Sequence, residues 1–345
     1  MESKKNWTLK TIAKKLNVSS ATVSNAFNRP DQLSKKRRDE ILAACAELHY
    51  FGPNKAAQSL RKGKSNIVAL VLPDDIEYVM TDPVANNVIT GVSGVTKEHG
   101  IHLLLFAGSS DSINSIVDFV DGFICIGAPT NPTIIKELQH THKRVVTLDF
   151  AIEEAASVLI DNKQAAQEIA EYAIQSADDK VAILGLRLLD LEHTCRVYDV
   201  AESLDYTVSG YRLQGYLQAA ENKGVSIAQD RIWNIPESTQ SKAKFAVREA
   251  LSSQPRPNVL LCMSDRIALA AYAEAQSMGL NIPDDIRIVG FDGIEESRLV
   301  TPELTTICQH SEAKGRAIAE AFVADTTEPK MLDYTLQKGG SAKSK

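Results

Sequence analysis

The sequence predicts an all-α N-terminal head of three short helices followed by an α/β body built on parallel sheets. Charge is split along the chain: residues 1–64 hold 14 Lys and Arg against 5 Asp and Glu, and residues 65–345 hold 24 against 39. In the head, apolar residues recur at three- and four-residue steps, the period of a helix with one buried face. In the body, short unbroken apolar runs alternate with longer amphipathic stretches, as expected of strands buried on both faces and joined by helical crossovers. At 345 residues the chain exceeds one core, so two or three domains are expected.

Thr8 is placed to cap a first helix with apolar positions Leu9, Ile12, Ala13 and Leu16, and Asn17-Val18-Ser19 turns the chain. Ser19 or Ser20 caps a second helix reaching Phe27, with Val23, Ala26 and Phe27 inward and Ser20, Ala21, Thr22, Ser24 and Asn25 outward. That outer face carries no acid, which suits apposition to a polyanion. Arg29-Pro30 stops the helix, because proline disfavours helical geometry in the residue before it. Ser34 caps a third helix along Ile41, Cys45 and Leu48. Two helices across a tight turn, with a third in support, make a helix-turn-helix, whose second helix enters the major groove while basic flanks meet phosphates. A generic helical bundle with a solvated basic face is the alternative at this point. After Gly52-Pro53-Asn54, residues 55–60 are good helix formers over about two turns, too few to hold a helix alone in water. Their one large apolar side chain, Leu60, therefore needs an outside partner, either base steps of a kinked minor groove or the neighbouring domain.

The body's apolar runs lie at 67–72, 101–106, 122–126, 145–148, 181–184, 259–263 and 288–291, and the amphipathic stretches include 84–98, 164–174, 212–222, 243–251 and 265–277. Ligands of such sheets sit beyond the carboxyl ends of the strands, which points to Tyr78, Asp82, Ser109, Asp149, Ser264, Asp265 and Asp292. Arg212, opening a helix, and Asp292, ending a strand, make a donor–acceptor pair suited to the vicinal hydroxyls of a sugar or polyol. A strand-end salt bridge or turn cap is the bland reading of each.

No Gly-x-Gly-x-x-Gly follows the first strand, and no phosphate-binding loop or Gly-x-Ser-x-Gly elbow occurs, so no enzyme, cofactor or catalytic residue is expected. His140 and His142, two apart, point to different sides of a helix and are not read as a metal site. Cys45, Cys125, Cys195, Cys262 and Cys308 have no paired spacing and are read as free, buried thiols. The N-terminus has no apolar run of signal-peptide length and no segment has the roughly 20 apolar residues of a membrane span, so a cytoplasmic location is expected.

The segments 8–13, 18–24, 34–37, 48–50 and Pro53-Asn54 through Leu60 resemble the lactose-repressor (LacI/GalR) family of bacterial transcription regulators. The likeness continues to about residue 335 through Asp161-Asn162, Arg212-Leu-Gln-Gly-Tyr216, Ser264-Asp265, Val289-Gly-Phe-Asp292 and Pro302-Glu-Leu-Thr-Thr-Ile307. The resemblance implies a helix-turn-helix DNA-binding domain over 1–53, a hinge helix and linker over 54–64, an effector-binding and dimerisation domain of periplasmic-binding-protein type over 65–340, and a tail at 341–345. Its two parallel-sheet subdomains are expected at about 65–162 with 294–322, and 163–293 with 323–340, with crossings near 162, 293 and 323 acting as a hinge. Ser20, Ala21 and Asn25 take base-reading positions, Thr22, Ser24 and Asn28 phosphate-facing ones, and Leu60 the minor-groove lever. Thr8, Ser19, Ser34, Tyr50, Asn54 and Ala57 complete the implied DNA-binding set. Arg212, Ser264, Asp292 and Gln309 become effector contacts, joined by Asp82, by Asp161 at the crossing, and by Trp233 as a platform for a sugar ring.

The chain departs from the family pattern in its reading helix, beside the effector positions and in its tail. Ser20 and Ala21 are short, so direct base readout through them is modest. Gly293 stands where a second acid is common, and Ser264 where asparagine or threonine is frequent. The tail lacks apolar heptads, so a homodimer without a tetramerising helix is expected. The function implied is a repressor of a palindromic operator in the bacterial nucleoid, controlled by a sugar-like effector. A ligand-independent architectural DNA binder and a solute-binding protein for a sugar are the alternatives.

Overall fold

Thr8 opens the first helix, Leu9–Lys15 (α1), with a reciprocal cap: its hydroxyl accepts from the Thr11 amide while its own amide donates to the Thr11 hydroxyl at 2.8 Å. After a turn through Asn17 at positive φ, Ser19 caps Ser20–Asn28 (α2) by accepting from the Thr22 amide at 2.9 Å. Arg29 closes α2, a single 3-10 turn spans Pro30–Gln32, and Ser34 caps Lys35–Glu47 (α3). Ile12, Ala13, Val23, Ala26, Ile41, Cys45 and Tyr50 form the core of the three helices, and Arg38 donates to the Ala26 carbonyl at 3.1 Å. The computed structural model describes residues 7–52, 64–199 and 207–343, so Asn54, Ala57 and Leu60 of the expected hinge lie outside the described residues. The chain divides into two units at Asn66, and each is described by itself.

The body holds two sheets. The first, in spatial order Lys330–Leu332 (β12), Ala156–Ile160 (β5), Arg144–Leu148 (β4), Gly122–Ile126 (β3), Ile67–Val71 (β1) and His102–Phe106 (β2), is parallel throughout. The second runs Thr335–Gln337 (β13), Thr305–Cys308 (β11), Arg287–Asp292 (β10), Val259–Cys262 (β9), Val181–Leu186 (β6), Ile232–Ile235 (β8) and Cys195–Arg196 (β7), with only its edge strands β13 and β7 antiparallel. The helices are Ile76–Val79 (α4), Pro83–Glu98 (α5), Pro132–His140 (α6), Asn162–Ala173 (α7), Val208–Asn222 (α8), Gln240–Ser252 (α9), Asp265–Ser277 (α10) and Ser311–Ala324 (α11). Separate apolar cores flank each sheet, which gives each lobe helix–sheet–helix layering. In the first lobe α5 and α11 touch backbone to backbone: a Cβ on Gly91 would fall 2.1 Å from the Glu312 carbonyl oxygen.

The chain passes between lobes at Asp161, at Gln309-His310 and at Asp333-Tyr334. The crossings expected near 293 and 323 therefore move. Thr305-Thr-Ile-Cys308 pairs in parallel with β10, so 294–308 stays with the second lobe, and β12 pairs with β5, so the first lobe keeps the chain to Leu332. The polar look of Thr305 and Thr306 conceals a strand, because both hydroxyls are satisfied inside, one by the Gly339 carbonyl and one by Asp265.

Candidate functional site

In the head, α2 presents Ala21 and Asn28 exposed and Ser20, Thr22, Ser24 and Asn25 half-buried, while Val23 and Ala26 face the core. The exposed Ser19 hydroxyl lies 2.8 Å from that of Thr22, and Asn28 donates to the Ser24 carbonyl at 3.2 Å, so the polar row is ordered before any partner arrives. The α2 surface carries no acid in its first turn, and Lys14 and Lys15 end α1. Thr8 and Ser34 are exposed caps. Tyr50 departs from the expectation of a DNA contact. It is 7% exposed, meets Phe27 edge-on at 5.8 Å, and its hydroxyl is buried without a hydrogen-bond partner among the described residues. It belongs to the head's core because the chain after α3 folds back over Phe27.

In the body, the carboxyl ends of both sheets meet along the seam between the lobes. Arg212 of α8 is 6% exposed, and its guanidinium donates to Asn162 Oδ1 at 3.0 Å and to the Met263 carbonyl at 2.7 Å, while lying 3.6 Å from the centre of the Phe291 ring. Its Nη1 stands 3.7 Å from Asp292 Oδ1. Asp292, 9% exposed and at φ 132°, accepts from Gln309 Nε2 at 2.8 Å. Gln309 Oε1 in turn accepts from Lys314 at 2.7 Å, and Lys314 also holds Asp149 at 2.6 Å. Burial pushes the Asp292 carboxyl well above the ordinary carboxylate range; Arg212 opposes that rise, and the acids Asp265 and Asp82 add to it. Burial likewise raises Asp82, against the Val84 amide and Arg266.

Backbone strain gathers at this seam. Asp149, Arg187, Asp292 and His310 are non-glycine residues at positive φ, each at a strand end or a crossing. The lobes touch through Arg187 and Asp74 at 2.6 Å, through the Ser238 amide donating to the Tyr78 hydroxyl at 2.9 Å, and through Arg266 donating to the Thr81 carbonyl at 3.3 Å. A cavity of about 340 Å³ opens beside the seam between Pro83 and the α10 side chains Arg266 and Leu269, away from Arg212 and Asp292.

Of the residues expected at the site, the structure brings together Arg212, Asp292 and Gln309, with Asp82 near enough to act on Asp292. Ser264 lies at the seam as the α10 cap, its hydroxyl 2.6 Å from that of Ser238. Asp161 is exposed and caps α7, and its neighbour Asn162 is the residue that reaches Arg212. Trp233 is not a platform: it is fully buried between β8 and α9, its indole donates to Glu249 at 2.7 Å, and Arg196 covers its ring at 5.2 Å. A stacking surface needs a bare ring face, and this ring has none. Lys314, Arg187, Asn162 and Ser238 were not singled out as contacts. Lys314 had a readable signal, as a lone lysine between Ala313 and Gly315 on an otherwise apolar helix face.

A helix-turn-helix head on a two-lobed, thrice-crossed body defines the class of transcriptional regulators with a periplasmic-binding-protein-like sensor. Residues 8–54 match the profile "Bacterial regulatory proteins, lacI family" and residues 187–333 match "Periplasmic binding protein-like domain". Over 348 aligned residues the chain is 30% identical to the HTH-type transcriptional regulator Rv3575c of Mycobacterium tuberculosis, covering 97% of this chain and 96% of that one. It is 28% identical to the HTH-type transcriptional repressor CytR of Escherichia coli K12 over 90% of this chain and 86% of that one. The chain belongs to the LacI family and is a DNA-binding transcriptional regulator, not an enzyme. The fold matches the Lac repressor dimer bound to operator and the anti-inducer ONPF with a TM-score of 0.73 at 19% identity, covering 99% of this chain and 100% of that one. It also matches the regulator CelR in complex with cellobiose, with a TM-score of 0.64 at 24% identity, covering 97% and 100%. Among the described residues no helix is long and apolar enough to cross a membrane.

Proposed function

We propose that this regulator is a repressor that binds a palindromic operator as a homodimer and releases or grips it in response to a small polyhydroxylated metabolite held between the lobes. The observation that carries the reading is the buried Arg212–Asp292 pair at the junction of two lobes linked by three chain crossings. A guanidinium and an acid together satisfy the acceptor and donor of a vicinal diol. Relatives named as a repressor, as a cellobiose complex and as an operator-bound dimer support the same assignment. Arg212 and Asp292 are almost closed off here, so ligand entry requires the lobes to part, exchanging the Arg187–Asp74 and Tyr78–Ser238 contacts for contacts with the ligand. An effector shifts the two arrangements only by its differential affinity, typically ~1–3 kcal/mol. Leu60 is proposed to enter the minor groove as a wedge.

The test begins with selection of a randomised duplex pool on the full-length protein at about 150 mM salt, where unspecific phosphate binding is damped. Recovery of a palindrome supports dimeric reading, and an unselected pool rejects it. With that operator, Asp292→Ala is expected to keep DNA binding and lose the response to a sugar panel, whereas a retained response removes Asp292 from the site. Leu60→Ala is expected to weaken specific far more than non-specific binding, and equal losses remove the wedge.

A further inference from the structure

Lys314 is 1% exposed on α11, and its ammonium makes three contacts: 2.7 and 2.6 Å to the two oxygens of Asp149, and 2.7 Å to Gln309 Oε1. An ammonium is a donor only. The atom of Gln309 turned toward it must therefore be the oxygen, which leaves Nε2 as the atom facing Asp292 Oδ1 at 2.8 Å. The orientation of this amide thus follows from donor logic and not from how its oxygen and nitrogen were named. Asp149 follows β4 of the first lobe, Gln309 is the second crossing, and Asp292 ends β10 of the other lobe.

We propose that Lys314 is the positioning residue of the sensor site: it fixes the Gln309 amide so that an N–H is presented to Asp292, and it ties that setting to Asp149, which lies with Lys314 in the first lobe, across the seam from Asp292. The inference rests on Asp292 being the recognition acid. Without Lys314 the amide is held only from the Asp292 side, and when it turns over its carbonyl faces the Asp292 oxygen, an arrangement that only a protonated acid tolerates, so the flip and protonation favour one another. A hydrogen bond donated to a carboxylate favours its charged form, so losing the donor raises the carboxyl's titration point. The other charges that act on Asp292, namely Arg212, Asp265 and Asp82, are untouched by substitutions at 314.

The test is a side-chain carbonyl NMR titration of the full-length protein labelled at aspartate with 13C, with Asp292 assigned through Asp292→Asn. Lys314→Met is expected to move the Asp292 midpoint up by about one pH unit, Gln309→Leu to move it similarly, and the double variant to move it no further. Lys314→Arg, a donor-only cation, is expected to hold the wild-type midpoint. An unchanged midpoint in Lys314→Met overturns the proposal. So does an equal extra increment for Lys314→Met in the Gln309→Leu background, since that would be charge acting through space rather than through the amide. If Lys314→Met fails to fold, Asp149→Asn is added to it to remove the acid left unpaired, and that double variant carries the same comparison. No effector enters this experiment, so a site that recognises no sugar would sink the proposed function while leaving the midpoints as stated.

Discussion

Replacing Arg212 with methionine keeps much of the side chain's length and apolar stem but removes the cation beside a buried acid. Removing one partner of a buried ion pair costs about 3–5 kcal/mol, because the surviving charge is left without compensation. The geometry here makes part of that cost depend on pH. An unfolded aspartate titrates near ~3.9, whereas the Asp292 carboxyl is raised by burial in the folded chain. A folded-state value above the unfolded one means that the native state binds the proton more tightly, so stability falls as pH rises from the unfolded value through the folded one. Arg212 opposes that rise, and its loss lifts the folded value further. The penalty of Arg212→Met is therefore smallest near pH 4.5, where Asp292 can stay neutral. There it reduces to the unmet acceptors Asn162 Oδ1 and the Met263 carbonyl, about 1–3 kcal/mol. It is largest at pH 8, at about 4 kcal/mol, equivalent to roughly 10 °C in the melting of a body of this size. Thermal unfolding followed by circular dichroism at the two pH values is the assay. An equal loss at both would refute the claim that Arg212 acts chiefly by compensating Asp292.

Other substitutions separate structural from functional roles. Trp233→Phe is expected to cost about 1–3 kcal/mol through the lost bond to Glu249, with the effector response unchanged; a lost response at intact stability would return Trp233 to the site. Tyr50→Phe removes a buried hydroxyl that has no partner among the described residues and is expected to leave head stability equal or about 1 kcal/mol higher. A tenfold loss of operator affinity in that variant would show that the hydroxyl touches DNA after all. Gly290→Ala places a Cβ 2.1 Å from Asp265 Oδ1, which accepts from the Thr306 hydroxyl, while the amides of Gly293 and Ile294 hold Oδ2 of the same carboxylate in place. Loss of soluble body, or destabilisation of at least about 3 kcal/mol in chemical denaturation, is expected, and a near-neutral variant would contradict that packing.

The head was almost fully legible, since Thr8, Ser19 and Ser34 each announce a helix start and Pro30 a stop. The body's central strands were legible where apolar runs were unbroken, as at 122–126. The second lobe's Ile232-Trp-Asn-Ile235 escaped because Asn234 interrupts the run, yet its side-chain oxygen accepts from the Leu189 amide and the strand is wholly buried. Thr305–Cys308 escaped for the same reason, with hydroxyls satisfied inside. The site was legible as single residues at strand ends but not as a network. Whether Arg212 meets Asn162, or Lys314 reaches Asp149, depends on how two sheets face each other, and no local pattern encodes that. Trp233 was misplaced because it was carried over by position from the resemblance, whereas Ile232–Ile235 is a strand whose tryptophan packs under α9.

The order in which the chain supplies its strands has a consequence for synthesis. The first lobe is nearly finished by Ile160, but its α11 and its edge strand β12 come from 311–332, after the whole central part of the second lobe has been made. On the ribosome, the α5 surface that Gly91 and Gly315 bring so close to α11 stays uncovered until the final segment emerges. A polypeptide stopped at residue 300 would lack strands from both sheets and could complete neither lobe. Early termination or degradation from the C-terminal end therefore leaves both sheets incomplete at once, rather than sparing one lobe.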